Sequence, residues 1–236
     1  MARITSYATL VTAAQDYLQR SDVAVSAGNI DYFIGEVEEE LNTRLRVQRM
    51  LAFISTTTTL AVSAAGAVTN PTDFLGWKRF VAKQGGRDWD LDLLSAEEQS
   101  SVFALYDTPG SPRALIQSIA GLSKIWPYMD GVYVFDALYY QKIPQLTSGG
   151  SPNWVITNYP SVYLYGVLAA AAGYALDDVG NGSGREDKWL KRFKDGIKRI
   201  EREDKIAMDA RKQVRLTADT TLFGGMRNTY DVIADY

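Results

Sequence analysis

The chain contains no cysteine and no histidine among its 236 residues. Their absence excludes disulfides, thiolate nucleophiles, Cys/His zinc sites and every catalytic triad built on imidazole. It leaves the redox compartment open, since a cytosolic protein and a particle assembled in the cytosol both manage without cysteine. Neither sign of charge prevails: 25 basic residues stand against 28 acidic ones, a net charge of −3. No chain-wide positive excess therefore points to nucleic-acid binding. Long apolar runs are missing too. Met1 to Leu10 lacks the apolar stretch of a signal peptide. Val162 to Leu176, the most apolar segment, is about 15 residues where a membrane span needs roughly 20. The expectation is a protein without targeting signal or membrane contact. Gly85-Gly86 and Gly224-Gly225 lack the following Lys and Ser/Thr of a phosphate-binding loop.

What is present suffices for a packed core: 46% of residues are hydrophobic and 11% aromatic. Ser6 is placed to cap a first helix carrying Tyr7, Leu10, Val11, Ala14, Tyr17 and Leu18 at helical spacing. Asn29 is placed to cap a second, whose apolar stripe runs Ile30, Phe33, Ile34, Val37, Leu41, Leu45. Its glutamates (Glu36, Glu38, Glu39, Glu40) come early and its arginines (Arg44, Arg46, Arg49) late, as the helix dipole favours. From Met50 the period changes. Thr56 to Thr59 with Leu60 and Val62 read as strand, Ala64-Ala65-Gly66 as a turn, and Asn70-Pro71-Thr72-Asp73 as a turn or short helical start. Trp77, Arg79 and Val81 alternate as one strand up to the Gly85-Gly86 break. Ser95 and Glu98 form a capping box ahead of a short helix over Ala96 to Leu105. Further strands surround Trp126 and Val132 to Tyr140. Pro160 opens a helix by its missing N–H. The last helix, Arg185 to Leu216, turns Trp189, Phe193, Ile197, Ile200, Ala207 and Val214 to one side, and at roughly 30 residues would run some 45 Å. The tail from Thr217 has no period.

The expected class is α+β. Residues 1–49 and 151–216 make a helical bundle, 50–150 a β-rich insertion and 217–236 an extended C-terminal tail; separate α and β domains are the alternative.

The most specific signal is Tyr139-Tyr140-Gln141-Lys142-Ile143-Pro144-Gln145-Leu146, followed after a spacer by Asn153-Trp154-Val155-Ile156-Thr157-Asn158-Tyr159-Pro160-Ser161-Val162-Tyr163-Leu164-Tyr165-Gly166. It resembles the hallmark of head-to-tail adaptor (connector, head-completion) proteins of tailed, podovirus-like bacteriophages. Trp189 fits the lone tryptophan of the family's next helix, and Asn70 to Leu75 resembles the segment before another strand. Ser161 departs from the pattern where an acidic residue is usual. The family-motif residues are Tyr140, Pro144, Trp154, Tyr159, Pro160, Tyr163, Tyr165 and Trp189. Taken as plain chemistry, the tyrosines at this helix start pack into a core and turn their phenol tips to partners.

The resemblance implies a non-enzymatic virion protein, assembled in the host cytoplasm and sited in the neck. It implies a ring of about twelve copies that docks on the portal, extends the DNA channel and offers the tail or nozzle protein a platform, with no cofactor. A flexible tail suits docking on the portal. Phe223, Met226, Tyr230, Val232, Ile233 and Tyr236 are its candidate anchors, and packing back on the same subunit is the alternative. The last helix, Arg185 to Arg215, holds twelve basic residues against seven acidic ones. Such a face suits a solvated surface, an intersubunit seam or transient, non-specific contact with genomic DNA. Two other functions stay open. One is a lower-neck or tail-completion protein. The other is a two-carboxylate glycoside hydrolase such as a muramidase, drawing on Glu36, Glu39 and Glu40 or on Asp88, Asp90 and Asp92. The same aspartates begin like a calcium loop, but the sixth position lacks Gly and the twelfth is Gln99.

Overall fold

The computed structural model describes residues 3–18, 27–63, 66–95, 97–98, 108–117, 122–174 and 183–222. The elements, in order, are α1 (Tyr7–Leu18), α2 (Ala27–Arg44), a 3-10 turn (Gln48–Met50), β1 (Leu51–Ser55), β2 (Ala67–Thr69), β3 (Phe74–Gln84), β4 (Arg87–Asp90), β5 (Asp92–Ser95), β6 (Ala114–Gln117), β7 (Leu122–Trp126), β8 (Val134–Gln141), α3 (Trp154–Asn158), α4 (Pro160–Tyr174) and α5 (Ser183–Leu222). The class is α+β, as expected. The chain divides into two compact units, Met1–Ile34 with Val155–Tyr236, and Gly35–Trp154.

The β unit holds two four-stranded sheets, ordered β1-β8-β3-β4 and β2-β7-β6-β5. All pairs are antiparallel except β5 with β6. Both sheets contribute to one core: Ile54, Trp77, Phe80, Phe135, Ala137 and Tyr139 from the first, Val68, Leu115 and Ile125 from the second. Trp77 meets Phe80 edge to face at 5.2 Å, a geometry that aromatic quadrupoles favour. Its Nε1–H donates to the Ser123 hydroxyl at 2.8 Å, which donates to Asn70 Oδ1 at 3.0 Å. The buried polar atoms of this core are thereby paired, which avoids the desolvation penalty. Gly85 and Gly86, at φ 58° and 77°, make the two-residue turn that joins β3 to β4.

In the helical unit α4 packs against both α1 and α5. Buried residues lie all round α4 (Val162, Tyr163, Leu164, Val167, Leu168, Ala171), while α5 buries a single stripe of Phe193, Ile197 and Ile200. An all-apolar helix belongs between neighbours and a one-stripe helix at the surface. The α4–α5 approach is close at Gly196, where an added Cβ would lie 2.8 Å from Val162 Cγ2.

Several local expectations are corrected. Thr56 to Thr59 form a turn, because the Ser55 carbonyl accepts from the N–H groups of Thr58, Thr59 and Leu60 at 3.0, 3.0 and 2.9 Å. The Ser and Thr hydroxyls bond locally and outweigh β propensity. Trp77, Arg79 and Val81 do not share a face. A register shift between Trp77 and Arg79 puts Trp77, Phe80 and Ala82 inside. Asn29 lies within α2, which begins at Ala27, so Glu36 to Glu40 sit beyond the first turn and gain little from the dipole. Helix α5 runs 40 residues, about 60 Å, and continues through Thr217 to Leu222. The residues from Thr217 to Thr221 cost a helix only tenths of a kcal/mol each, whereas glycine costs about 1, and the first glycines are Gly224 and Gly225. Among the expected caps, Ser6 and Thr9 bond reciprocally at the start of α1, and Ser95 with Glu98 forms the capping box. The helix foreseen beyond it, from Gln99 on, lies outside the described residues.

Candidate partner-docking site

The tyrosine-rich motif has a first half in the β unit and a second half in the helical unit. In the first, Tyr139 and Tyr140 end β8, pairing with Ala52 and Leu51 of β1. Tyr139 is buried and its hydroxyl donates to Asp73 Oδ1 at 3.1 Å. Burial, then the hydrogen bond to this carboxylate, push the phenol up to about 12. Past β8 the chain becomes an extended strap tied to α2. Ile143 N–H donates to Asn42 Oδ1 at 2.8 Å, and Leu146 N–H to the buried Glu38 Oε1 at 2.7 Å. Ile143 and Leu146 are buried, Pro144 is exposed, and the Pro144 carbonyl accepts from Asn153 Nδ2 at 2.8 Å. The Arg49 guanidinium lies 5.8 Å from the centre of the Trp154 ring. Beside the strap, α2 and Thr72 to Leu75 line an open groove of about 840 Å³.

In the second half, Pro160 is the first residue of α4, as its missing N–H predicts. Tyr163 is fully buried. The Tyr159 hydroxyl donates to Glu203 Oε2 at 2.6 Å, and Arg199 Nε donates to Oε1 of the same carboxylate at 2.7 Å. Arg192 lies over the Tyr165 ring at 5.0 Å and donates to its hydroxyl at 2.8 Å. Trp189 is half-buried near the start of α5. Within each half, then, the motif residues tie elements of their own unit together.

The candidate tail anchors Phe223, Met226, Tyr230, Val232, Ile233 and Tyr236 lie outside the described residues. The acidic candidates lie on separate elements, α2, β4 and β5. Glu36 and Glu39 are exposed on α2, and Glu40 pairs with Arg44. Asp88 and Asp90 project from β4 and pair with Lys83 at 3.6 Å and Arg79 at 2.5 Å, while Asp92 opens β5. Strands replace the loop that calcium would need, and among the described residues no cluster of acidic side chains could hold a metal ion. No helix among them is long and apolar enough to cross a membrane.

The sequence reading missed Glu38, Asn42 and Gly196. Each leaves a signal. Glu38 follows Ile34 by four residues and precedes Leu41 by three, a carboxylate on the apolar stripe, which must find a donor if buried. Asn42 sits one turn on from it. Gly196 interrupts a helix with a residue costing about 1 kcal/mol there, a cost that close helix packing offsets.

The exposed surface of α5 is of another kind. Lys191, Lys194, Lys198, Arg202 and Lys205 are all exposed, and none makes an ion pair among the described residues.

The sequence model of the family described as SU10 adaptor protein matches residues 5–217. No curated protein matches the chain.

Proposed function

This chain belongs to the SU10 adaptor protein family, one of bacteriophage head-to-tail adaptors, and from that premise we propose that it closes the head by docking on the portal as a ring of copies, extends the DNA channel and gives the tail its platform. The observation that carries this reading is the match over residues 5–217, which runs through both compact units. The protein works by fitting surfaces together and turns over no substrate. A subunit for this task needs folded surfaces, which each unit builds on its own core, and sides that complement each other head to tail. A segment that reaches the portal completes the set, and the residues beyond Leu222, with the anchors from Phe223 to Tyr236, take that part.

The test is copurification of purified portal complexes with the full chain and with a chain ended after Leu222, which keeps α5 whole. The full chain is expected to copurify and the shortened one to be lost. Failure of both to bind portal, with retention on tail protein, would move the chain to a lower level of the neck.

A further inference from the structure

We propose that the exposed basic stripe of α5 is a contact surface between copies, occupied by the acidic outer face of α2 in a second copy; this rests on the ring reading above. Lys191, Lys194, Lys198, Arg202 and Lys205 follow one another at intervals of three or four residues, so they share one side of α5. Phe193, Ile197 and Ile200 of the same helix are buried, and the five cations are exposed. Lys194, Lys198 and Arg202 are successive i, i+4 neighbours of like charge, an arrangement that works against the helix when nothing balances it. Some cations elsewhere are paired within the chain: Arg44 with Glu40, Arg79 with Asp90, Lys83 with Asp136 and Arg199 with Glu203. The stripe has no such partner among the described residues of its own chain.

A complementary surface exists on the chain itself. Glu36 and Glu39, one turn apart on α2, are exposed and make no ion pair among the described residues. The unit they belong to, Gly35–Trp154, is acidic overall, with thirteen acidic residues against ten basic ones. Gly35 beside them has nothing within 4 Å of where a Cβ would stand, which leaves room for an approaching helix. Laid antiparallel, Arg202 reaches Glu36 while Lys198 reaches Glu39. Nucleic acid fits the stripe less well, because Asp195 and Glu201 are exposed on the same helix and would repel phosphates, and the chain as a whole is negative. Two different patches that complement each other make a heterologous contact, the kind that closes into rings.

The experiment adds variants to portal-bearing, tailless heads and counts the subunits held at the vertex. Lys194→Glu/Lys198→Glu/Arg202→Glu is expected to lower ring occupancy about tenfold or more at limiting protein. Adding Glu36→Lys/Glu39→Lys to the same chain is expected to restore it. A melting curve certifies folding, and Gln replaces Glu at the three positions if the reversed chain does not fold. Full rings from the triple variant would overturn the inference and leave the adaptor reading intact. No ring from the wild type would remove that reading instead. Loss that the second reversal fails to restore, with weaker binding to a short DNA duplex, would overturn the contact between copies and assign the stripe to DNA.

Discussion

Between Tyr139 and Tyr165 several polar groups are tied to the subunit's own residues. Tyr139 donates to Asp73, the strap's amides to Asn42 and Glu38, and Tyr159 to Glu203. Along the outer side of α5, from Lys191 to Lys205, five cations face solvent and bond to nothing among the described residues. The segment with the most specific sequence pattern thus ties the subunit together, whereas the outer side of α5 presents charges that no residue of the described chain pairs. A family likeness read from tyrosines and prolines identifies the family, while the contact proposed between copies rests on charges whose positions one sequence does not single out.

This contrast can be broken most severely at Tyr163. Its truncation to Ala should cost about 3–5 kcal/mol, as for other fully buried aromatics, and lower the denaturant midpoint accordingly; a change under about 1 kcal/mol would mean that the motif is not core. Glu38→Ala leaves the buried Leu146 amide without its acceptor and should cost about 2–3 kcal/mol in the same assay.

Tyr139 sharpens the comparison through pH. Its phenol is raised to about 12 in the fold against an ordinary 10.0, so the folded state keeps a proton that the unfolded chain gives up. Stability is therefore full below pH 10 and falls as pH rises from about 10 to 12, by up to roughly 2 kcal/mol. Tyr139→Phe should flatten that alkaline slope in urea titrations, although Tyr7, also raised to about 12 by burial and then Asp31, leaves a residual slope. At Gly196, Ala gains about 1 kcal/mol of helix propensity but forces Val162 aside, an overpacking cost of 1–3 kcal/mol; the net expectation is a loss of about 1 kcal/mol by thermal melting. Reversal of Lys194, Lys198 and Arg202 should move stability least, within about 0.5 kcal/mol per site, because all three are exposed and make no ion pair among the described residues.

Much of the fold was legible because its cues are local. Ser6, the Ser95–Glu98 box, Pro160 and Gly85-Gly86 act on neighbours a few residues away, and each sits where its chemistry predicts. Long-range or competing effects were not legible. The hydroxyls of Ser55 to Thr58 prefer a turn to the strand that their branching suggests. The bulge between Trp77 and Arg79 exists because β8 offers that register. Strand β6, Ala114–Gln117, is four residues long and buries three of them, too short a run to show a period. For the candidate site, the motif residues were found and the residues that hold them, Glu38 and Asn42, were not, since their partners lie about 100 residues on.

The central claim is that this chain forms a ring on the portal, and imaging the portal vertex of DNA-filled, tailless heads after adding the full protein tests it most directly. A closed ring of added density seated on the portal is the predicted result. A bare portal at saturating protein would contradict the account.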